Sequence, residues 1–308
     1  MKIAFLFPGQ GSQYIGMGKD IYDNYDEVRA LYDEAFKVTG RDIASITFNS
    51  DEYTLTQTQN TQLAILIMSL GILKVLEKND INADVVAGLS LGEYTSLIYS
   101  GAINSKDGIQ LVQKRGEYMQ NLLPDGEWSM AAFLGVDEEI VNEVCRKVTD
   151  GFVVPVNYNC SGQIVVSGEK KAVLESIEIA KEFGVRRAME LNTSGPFHTI
   201  KLQEAADALK NELDKIEINK FEKYVVKNID GELYGNEDVK SVLYKHMISP
   251  VRFDKCINKM LEMGVDTFVE IGPGKTLTNF VKKINKDVQV ININDLESLN
   301  KAIEILSN

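Results

Sequence analysis

One short motif constrains the fold of this chain more than any other part of its sequence: the Gly-Leu-Ser-Leu-Gly segment at 88–92. It fits G-x-S-x-G, in which a sharp turn joins a strand to a helix and side chains at the glycine positions would clash. The flanking residues have the required form, with a predicted strand at 84–87 before the motif and a predicted helix from 91 onward. The motif therefore predicts that Ser90 presents its hydroxyl at the end of a buried strand. The alternative is a tight turn without chemistry.

Short apolar runs alternate with helical patterns along much of the chain. Strands are predicted at 3–7, 84–88 and 267–271, and helices at 61–78, 91–100 and, with Ser105 as its N-cap, from 105 to about 123. This alternation is typical of an α/β fold, a parallel sheet with helices on both faces.

The middle of the chain has a different order, β-α-β-β-α-β. Its strands are predicted at 129–134, 152–158, 163–167 and 186–191, and its helices at 137–148 and 170–183. This order predicts a ferredoxin-like small domain at 125–195. We expect it to be inserted in a large domain made of residues 1–124 and 196–308.

Composition excludes several classes of function. Net charge is −12, from 33 Lys and Arg against 45 Asp and Glu, which argues against a protein that binds nucleic acid or anionic lipid. Three scattered cysteines give neither a disulfide framework nor a CxxC metal site. The apolar run at 3–7 is too short for a secretory signal, and the stretch at 63–76 is too short to span a membrane. We therefore expect a cytoplasmic protein without a membrane segment.

A serine nucleophile needs a base, and the chain has only two histidines. His198 precedes an apolar stripe, formed by Leu202, Ala205, Leu209, Leu213 and Ile216, that predicts a helix. Its position predicts an inward ring in the first helical turn, where the helix N-terminus would keep the imidazole neutral. The alternative is a core histidine bonded to a carbonyl, which is the interpretation we favour for His246.

Arg115 shares an inward helical stripe with Val112 and Met119. A buried guanidinium stays charged and needs an anion, either an internal carboxylate or a carboxylate of the substrate. The glycine-rich loop at 9–13 lacks the third glycine of a dinucleotide fingerprint, so it is better suited to donate a backbone N–H to an oxyanion. The Gly-Lys-Thr segment at 274–276 lacks the first glycine of a phosphate loop, which excludes ATP or GTP binding there.

These and other segments together resemble a known family, the malonyl-CoA:acyl-carrier-protein transacylases of bacterial fatty acid synthesis. The matching segments occur in family order: Gly-Gln-Gly-Ser-Gln at 9–13, Gly-Met-Gly at 16–18, Gly-Leu-Ser-Leu-Gly-Glu-Tyr at 88–94, Arg-Gly at 115–116, Gly-Pro-Phe-His at 195–198 and Glu-Ile-Gly-Pro-Gly-Lys at 270–275. The resemblance implies an α/β-hydrolase-like large domain with a ferredoxin-like insert.

The resemblance also implies roles for single residues. Ser90 would carry the malonyl group, His198 would be the general base, and Arg115 would pair with the malonyl carboxylate. The remaining implied positions are the backbone N–H groups of Gln10 and Leu91 as oxyanion hole, Phe197 as a malonyl-selecting side chain, the backbone of His246 as the group orienting His198, and Gln62 and Asn159 near the pocket. Two positions depart from the family, because His246 replaces a glutamine and Leu89 replaces a histidine common in relatives.

The implied reaction is ping-pong transfer of malonyl from malonyl-CoA to the phosphopantetheine thiol of acyl carrier protein, without metal or redox cofactor. The carrier is acidic, as is this chain, so attraction requires a local basic patch, for which Arg186, Arg187, Lys275, Lys282 and Lys283 are candidates. We expect a monomer.

Three alternatives stay open at this point. A serine esterase or thioesterase has the order Ser, Asp or Glu, His, with its histidine late in the chain. A non-catalytic relative would bind a carrier without transferring acyl groups. A trans-acting polyketide acyltransferase would share the same motifs.

Overall fold

Two separate sheets organise the fold. The computed structural model describes residues 1–124, 126–191, 193 and 195–307, and these residues form nine strands. The strands are β1 Ile3–Phe7, β2 Val85–Gly88, β3 Trp128–Leu134, β4 Val153–Cys160, β5 Gln163–Glu169, β6 Arg187–Leu191, β7 Tyr224–Val225, β8 Thr267–Ile271 and β9 Gln289–Ile293.

The first sheet has the order β7-β2-β1-β8-β9, and all of its strand pairs are parallel. Strands β1, β2 and β8 are almost entirely buried and read as continuous apolar runs, as expected for a parallel sheet covered on both faces. The parallel-sheet prediction for this part of the chain is confirmed. Because the strands are parallel, their carboxyl ends meet at one edge.

The second sheet has the order β4-β5-β3-β6, and its pairs are antiparallel. One face packs on a separate apolar cluster that includes Phe133 and Val166, and the other face joins the main core through Met130, Ala132 and Val165. Strand β6 lies at an edge and is largely exposed.

Helices cover both sheets. Their bounds are α1 Lys19–Asn24, α2 Asp26–Thr39, α3 Ile43–Phe48, α4 Glu52–Thr56, α5 Thr58–Lys78, α6 Leu91–Tyr99, α7 Ser105–Asn121, α8 Glu138–Lys147, α9 Lys170–Glu182, α10 Gln203–Leu213, α11 Val239–Met247, α12 Phe253–Glu262, α13 Thr276–Ile284 and α14 Leu296–Leu306. Helix α5 is long and apolar enough to cross a membrane, but 89% of its apolar window is buried inside the fold. The helix is thus longer than the apolar stretch at 63–76 suggested, and most of its residues are buried in the core.

Some predicted details differ from the structure. Asn104, not Ser105, caps α7, because the Asn104 side chain accepts the N–H of Asp107. The helix predicted after His198 begins with a 3₁₀ turn at Ile200–Leu202 and ends at Leu213, so Ile216 lies beyond it. Helices α1 to α4 had no predicted counterpart. The proposed boundary residue Asp125 lies outside the described residues.

Candidate active site

Ser90 lies in the turn between β2 and α6, as the motif predicted. Its φ of 53° and ψ of −99° are unusual for a residue with a side chain. A Cβ at Gly88 would lie 1.9 Å from the carbonyl carbon of Gly92, and a Cβ at Gly92 would lie 2.1 Å from the Phe7 carbonyl oxygen. Both positions therefore require glycine, and the turn packs directly on the end of β1.

His198 lies within hydrogen-bond distance of Ser90. Its Nε2 is 2.7 Å from Ser90 Oγ, and its Nδ1 is 3.0 Å from the carbonyl oxygen of His246. A carbonyl can only accept, so Nδ1 carries the proton, and in the neutral ring Nε2 accepts from the Ser90 hydroxyl. The base is thus oriented by a main-chain carbonyl rather than by a carboxylate.

The neutral state of His198 follows from its surroundings. Burial and the nearby Arg115 charge lower its pKa to about 4. The prediction of an uncharged ring is confirmed in direction, but its cause was wrong. The residue lies in a turn before the helix, with φ of 59°, and not in a first helical turn. Ser194, at the start of this motif, lies outside the described residues.

Arg115 is buried beside the nucleophile. Its Nη2 donates to Ser90 Oγ at 3.1 Å, and its Nη1 donates to Gln62 Oε1 at 2.7 Å. Its guanidinium carbon lies 5.1 Å from the centre of the Tyr94 ring. Among the described residues no carboxylate lies within ion-pair distance of Arg115 and its Nε has no hydrogen-bond partner, but the buried carboxylate of Glu93 attracts its charge. A guanidinium without a carboxylate in direct contact can still pair with an anionic substrate.

The glycine-rich loop after β1 packs against the Ser90 turn. A Cβ at Gly9 would lie 2.5 Å from the Leu89 carbonyl oxygen, so the loop and the turn touch through their backbones. The Gln10 side chain donates to Thr58 Oγ1 at 3.3 Å. Among the described hydrogen bonds, the main-chain N–H groups of Gln10 and Leu91 are not used as donors.

The structure places the other predicted residues as follows. Phe197 is buried in the main core beside His198, and Leu89 is half-buried against the cluster that contains Ala4 and Leu6. Asn159 is buried on β4, and its Oδ1 has no partner among the described residues. No hydrogen bond joins Asn159 to Ser90, His198 or Arg115 in the described structure.

Sequence reasoning missed two polar residues that contact this site. Asn228 accepts the main-chain N–H of Ser90 through Oδ1 at 2.8 Å. Glu93 accepts the main-chain N–H of Asn228 at 3.0 Å and the Tyr234 hydroxyl at 2.5 Å. Glu93 is part of the segment at 88–94, and a carboxylate on the buried side of an apolar helix is a sequence signal that could have identified it. Asn228 follows a two-residue strand and has no local pattern.

Basic side chains gather at a surface groove of about 750 Å³ between α13 and the β4–β5 turn. Lys282, Lys283 and Lys286 line it, whereas Arg186 and Arg187 lie at β6, on the opposite edge of the second sheet. Within the described residues, no group of three His, Cys, Asp or Glu side chains could hold a metal ion.

Comparison with known proteins places this geometry in a family. The profile of the acyl transferase domain matches residues 4–301. The chain is 44% identical to the malonyl CoA-acyl carrier protein transacylase of Bacillus subtilis, over 99% of this chain and 97% of that protein. It is 39% identical to the enzyme of the same name from Staphylococcus aureus, over 97% of both chains.

Solved structures agree. The malonyl CoA-acyl carrier protein transacylase of Clostridium perfringens superposes with a TM-score of 0.95 at 45% identity, covering 99% of this chain and 97% of that one. A malonyl-transacylase in complex with a type II polyketide acyl-carrier protein superposes with a TM-score of 0.95 at 35% identity, covering 99% and 100%. The chain therefore belongs to the acyl transferase family, among the malonyl CoA-acyl carrier protein transacylases.

Proposed function

We propose that this enzyme transfers a malonyl group from malonyl-CoA to the phosphopantetheine thiol of an acyl carrier protein, supplying fatty acid synthesis. The observation that carries the proposal is the convergence of a serine hydroxyl, a neutral imidazole and a guanidinium that no described carboxylate contacts directly. His198 Nε2 and Arg115 Nη2 both lie within 3.1 Å of Ser90 Oγ.

The first half-reaction uses this arrangement directly. His198 takes the Ser90 proton while Oγ attacks the thioester carbonyl, and the tetrahedral intermediate then expels CoA, which receives that proton. In the second half-reaction His198 takes the proton of the carrier thiol, the sulfur attacks malonyl-Ser90, and the proton returns to Ser90. Because burial keeps the pKa of His198 low, the ring is a base at neutral pH.

The oxyanion would be stabilised by the main-chain N–H groups of Gln10 and Leu91. They belong to the two backbone segments that touch at Gly9 and Leu89, and the described residues leave both groups free to donate. Each such donor contributes about 3–4 kcal/mol to the transition state in comparable sites.

Arg115 would select the acyl group. A malonyl carboxylate can pair directly with its guanidinium, whereas an acetyl group leaves that buried charge with only the more distant Glu93 carboxylate to balance it, which disfavours acetyl. Gln62 fixes the guanidinium through Nη1. Phe197 beside the base would limit the room for a branched acyl group, and Asn159 would offer its unpaired Oδ1 to the substrate region.

The architecture supports the domain proposal. The strand order β4-β5-β3-β6, with α8 and α9 joining its strands, is the order of a ferredoxin-like unit. We propose that residues 125–195 form this small domain and that residues 1–124 and 196–308 form an α/β-hydrolase-like catalytic domain. We further propose that the protein is a cytoplasmic monomer without a cofactor. We propose that the groove lined by Lys282, Lys283 and Lys286 is the surface that binds the carrier protein.

A polyketide carrier is the second candidate acceptor. The similar malonyl-transacylase bound to a type II polyketide carrier protein favours it, at 35% identity. A serine esterase is disfavoured, because the base is oriented by a carbonyl and the guanidinium of Arg115 donates to Ser90 Oγ.

Intact-mass measurement tests the proposal. Incubation with malonyl-CoA should add the mass of one malonyl group, located on Ser90 by peptide mapping, and added holo-carrier protein should remove it and become malonylated. Ser90→Ala is the control that should gain no mass. Hydrolysis of malonyl-CoA without dependence on the carrier would contradict the proposal and favour an esterase.

A further inference from the structure

The turn that carries Ser90 is held by a residue far away in the sequence. Asn228 lies three residues after the end of β7 and is fully buried. Its Oδ1 accepts the main-chain N–H of Ser90 at 2.8 Å, and its Nδ2 donates to the carbonyl oxygen of Gly88 at 2.7 Å. One amide therefore binds the backbone on both sides of the G-x-S turn.

This double contact coincides with unusual backbone geometry. Ser90 has a positive φ, which a residue with a Cβ adopts only when its surroundings impose it. The Ser90 N–H precedes helix α6 and has no partner inside the helix, so Asn228 supplies its acceptor. The amide thus fixes the peptide units that set the direction of Ser90 Oγ.

Asn228 is itself held from the same helix. Glu93, the third residue of α6, accepts the main-chain N–H of Asn228 through Oε2 at 3.0 Å. Its other oxygen accepts the Tyr234 hydroxyl at 2.5 Å, so both carboxylate oxygens are bound to the loop that contains Asn228. Glu93 is fully buried, and burial raises its pKa to about 7 against the effect of these hydrogen bonds.

A buried carboxylate is costly and persists only with specific partners. The ring of His246 lies close by, with Nδ1 at 3.6 Å from Glu93 Oε2, but it forms no hydrogen bond among the described residues. The hydrogen bonds of Glu93 therefore run to the Asn228 loop, and through it back to Ser90, while its negative charge also attracts the Arg115 guanidinium.

We propose that Asn228 is a positioning residue for the nucleophile, which clamps the Ser90 turn through two backbone hydrogen bonds, and that Glu93 holds this clamp in place. The inference rests on the proposed acyl transfer for its assay. Neither residue touches the reacting atoms, so the expected effect is on the rate of Ser90 acylation and not on substrate binding.

Single-turnover malonylation of Ser90 tests the clamp, with the maximal rate and the malonyl-CoA concentration at half-maximal rate measured separately. Asn228→Ala should lower the maximal rate roughly 10–100-fold, the scale of a nucleophile displaced by up to about 1 Å, and leave the half-saturating concentration within about twofold. Asn228→Asp keeps the acceptor for the Ser90 N–H but loses the donor to the Gly88 carbonyl. Its maximal rate should therefore lie between those of the wild type and Asn228→Ala.

Glu93 provides a rescue comparison. Glu93→Ala removes the acceptor for the Asn228 N–H and should approach the loss seen with Asn228→Ala. Glu93→Gln keeps an amide oxygen for Asn228 and can donate to the Tyr234 oxygen, so it should recover most of the rate. Equal losses in Glu93→Gln and Glu93→Ala would contradict the clamp.

The matched control is Glu237→Gln. It weakens the ion pair with Lys227 at 2.9 Å in the same loop, without a described contact to the Ser90 turn. It should lower the melting temperature and leave the acylation rate unchanged. A wild-type rate per folded molecule in Asn228→Ala would overturn the proposal and leave Asn228 a stabilising residue only.

A serine-directed fluorophosphonate separates this inference from the proposed function. If the wild-type protein reacts with the probe but not with malonyl-CoA, the acyl-transfer proposal fails. The same order of rates among the variants would then still support the clamp, and equal probe rates would overturn it.

Discussion

The two sheets of this protein differ in strand direction, in burial and in the residues found at their edges. The parallel sheet is buried on both faces, and polar residues gather where its strands end: Ser90 after β2, Gln10 after β1 and Asn228 after β7. The antiparallel sheet keeps an apolar cluster on one face and leaves its edge strand β6 exposed. Ligands of open parallel sheets bind at the carboxyl ends of the strands, and the candidate site of this protein lies at that edge of the first sheet.

The difference also concerns what is buried. Arg115, Glu93, His198 and His246 are all buried around the first sheet, and two residues in the turns there, Ser90 and His198, have positive φ. The cluster on the outer face of the second sheet is built from apolar side chains such as Phe133, Val166 and Val173. Changes near the first sheet should therefore alter chemistry, and changes in the second sheet should alter stability.

The largest expected effect is that of His198→Ala. Loss of the general base should slow Ser90 malonylation by roughly 10²–10⁴-fold, because no other described base lies within hydrogen-bond distance of Ser90 Oγ. The melting temperature should change little or rise, since a buried polar ring is removed. Stopped-flow release of CoA measures the rate.

The counterpart in the second sheet is Phe133→Ala. Truncating this fully buried ring should lower the free energy of unfolding by about 3–5 kcal/mol, with the rate per folded molecule unchanged. Urea denaturation and the same CoA-release assay measure the two quantities. A slower CoA release in this variant without a lower free energy of unfolding would contradict the assignment of chemistry to the first sheet and stability to the second.

Acid pH should slow malonylation only well below the ordinary pKa of a histidine. The base must be unprotonated, and the pKa of His198 is lowered from its ordinary value of 6.5 to about 4. The kcat/KM of malonylation should therefore stay constant as pH falls to about 4 and then decrease about tenfold per pH unit. Measuring Glu93→Gln in parallel removes the other buried group, whose pKa is about 7. An acid limb near 6.5 in both proteins would contradict the buried-base account.

A smaller effect is expected at the proposed carrier surface. Reversing Lys275 and Lys282 to Glu should slow transfer to the acidic carrier roughly tenfold at low salt and leave hydrolysis of malonyl-Ser90 unchanged. Added salt should reduce the difference. Unchanged transfer would place the carrier surface elsewhere, and Arg186→Glu with Arg187→Glu tests the opposite edge at β6.

The smallest effect is expected for His246→Gln. The His198 ring bonds to the main-chain carbonyl of residue 246, which any side chain preserves. The malonylation rate should stay within about threefold of the wild type, because the His246 ring forms no described hydrogen bond that the substitution would remove. A drop as large as that of His198→Ala would show that the imidazole of His246 itself takes part.

Local patterns predicted the parts of the site that are local. The strand–turn–helix at Ser90 and the inward face that carries Val112, Arg115 and Met119 follow from short-range spacing, and both are confirmed. The contact between Asn228 and Ser90 joins residues 138 positions apart, and β7 has only two residues, so no periodicity could indicate it. The left-handed turn at His198 escaped prediction because a non-glycine residue adopts it only under tertiary constraint.

The central claim is that the guanidinium of Arg115 recognises the carboxylate of the acyl group by pairing with it directly. The most direct test compares acylation of Ser90 by malonyl-CoA and acetyl-CoA in the wild type and in Arg115→Ala. Our account predicts that the malonyl rate collapses by on the order of 10²-fold or more while the acetyl rate falls little or rises. An equal loss for both acyl groups would contradict it, because Arg115 would then support Ser90 without recognising the substrate.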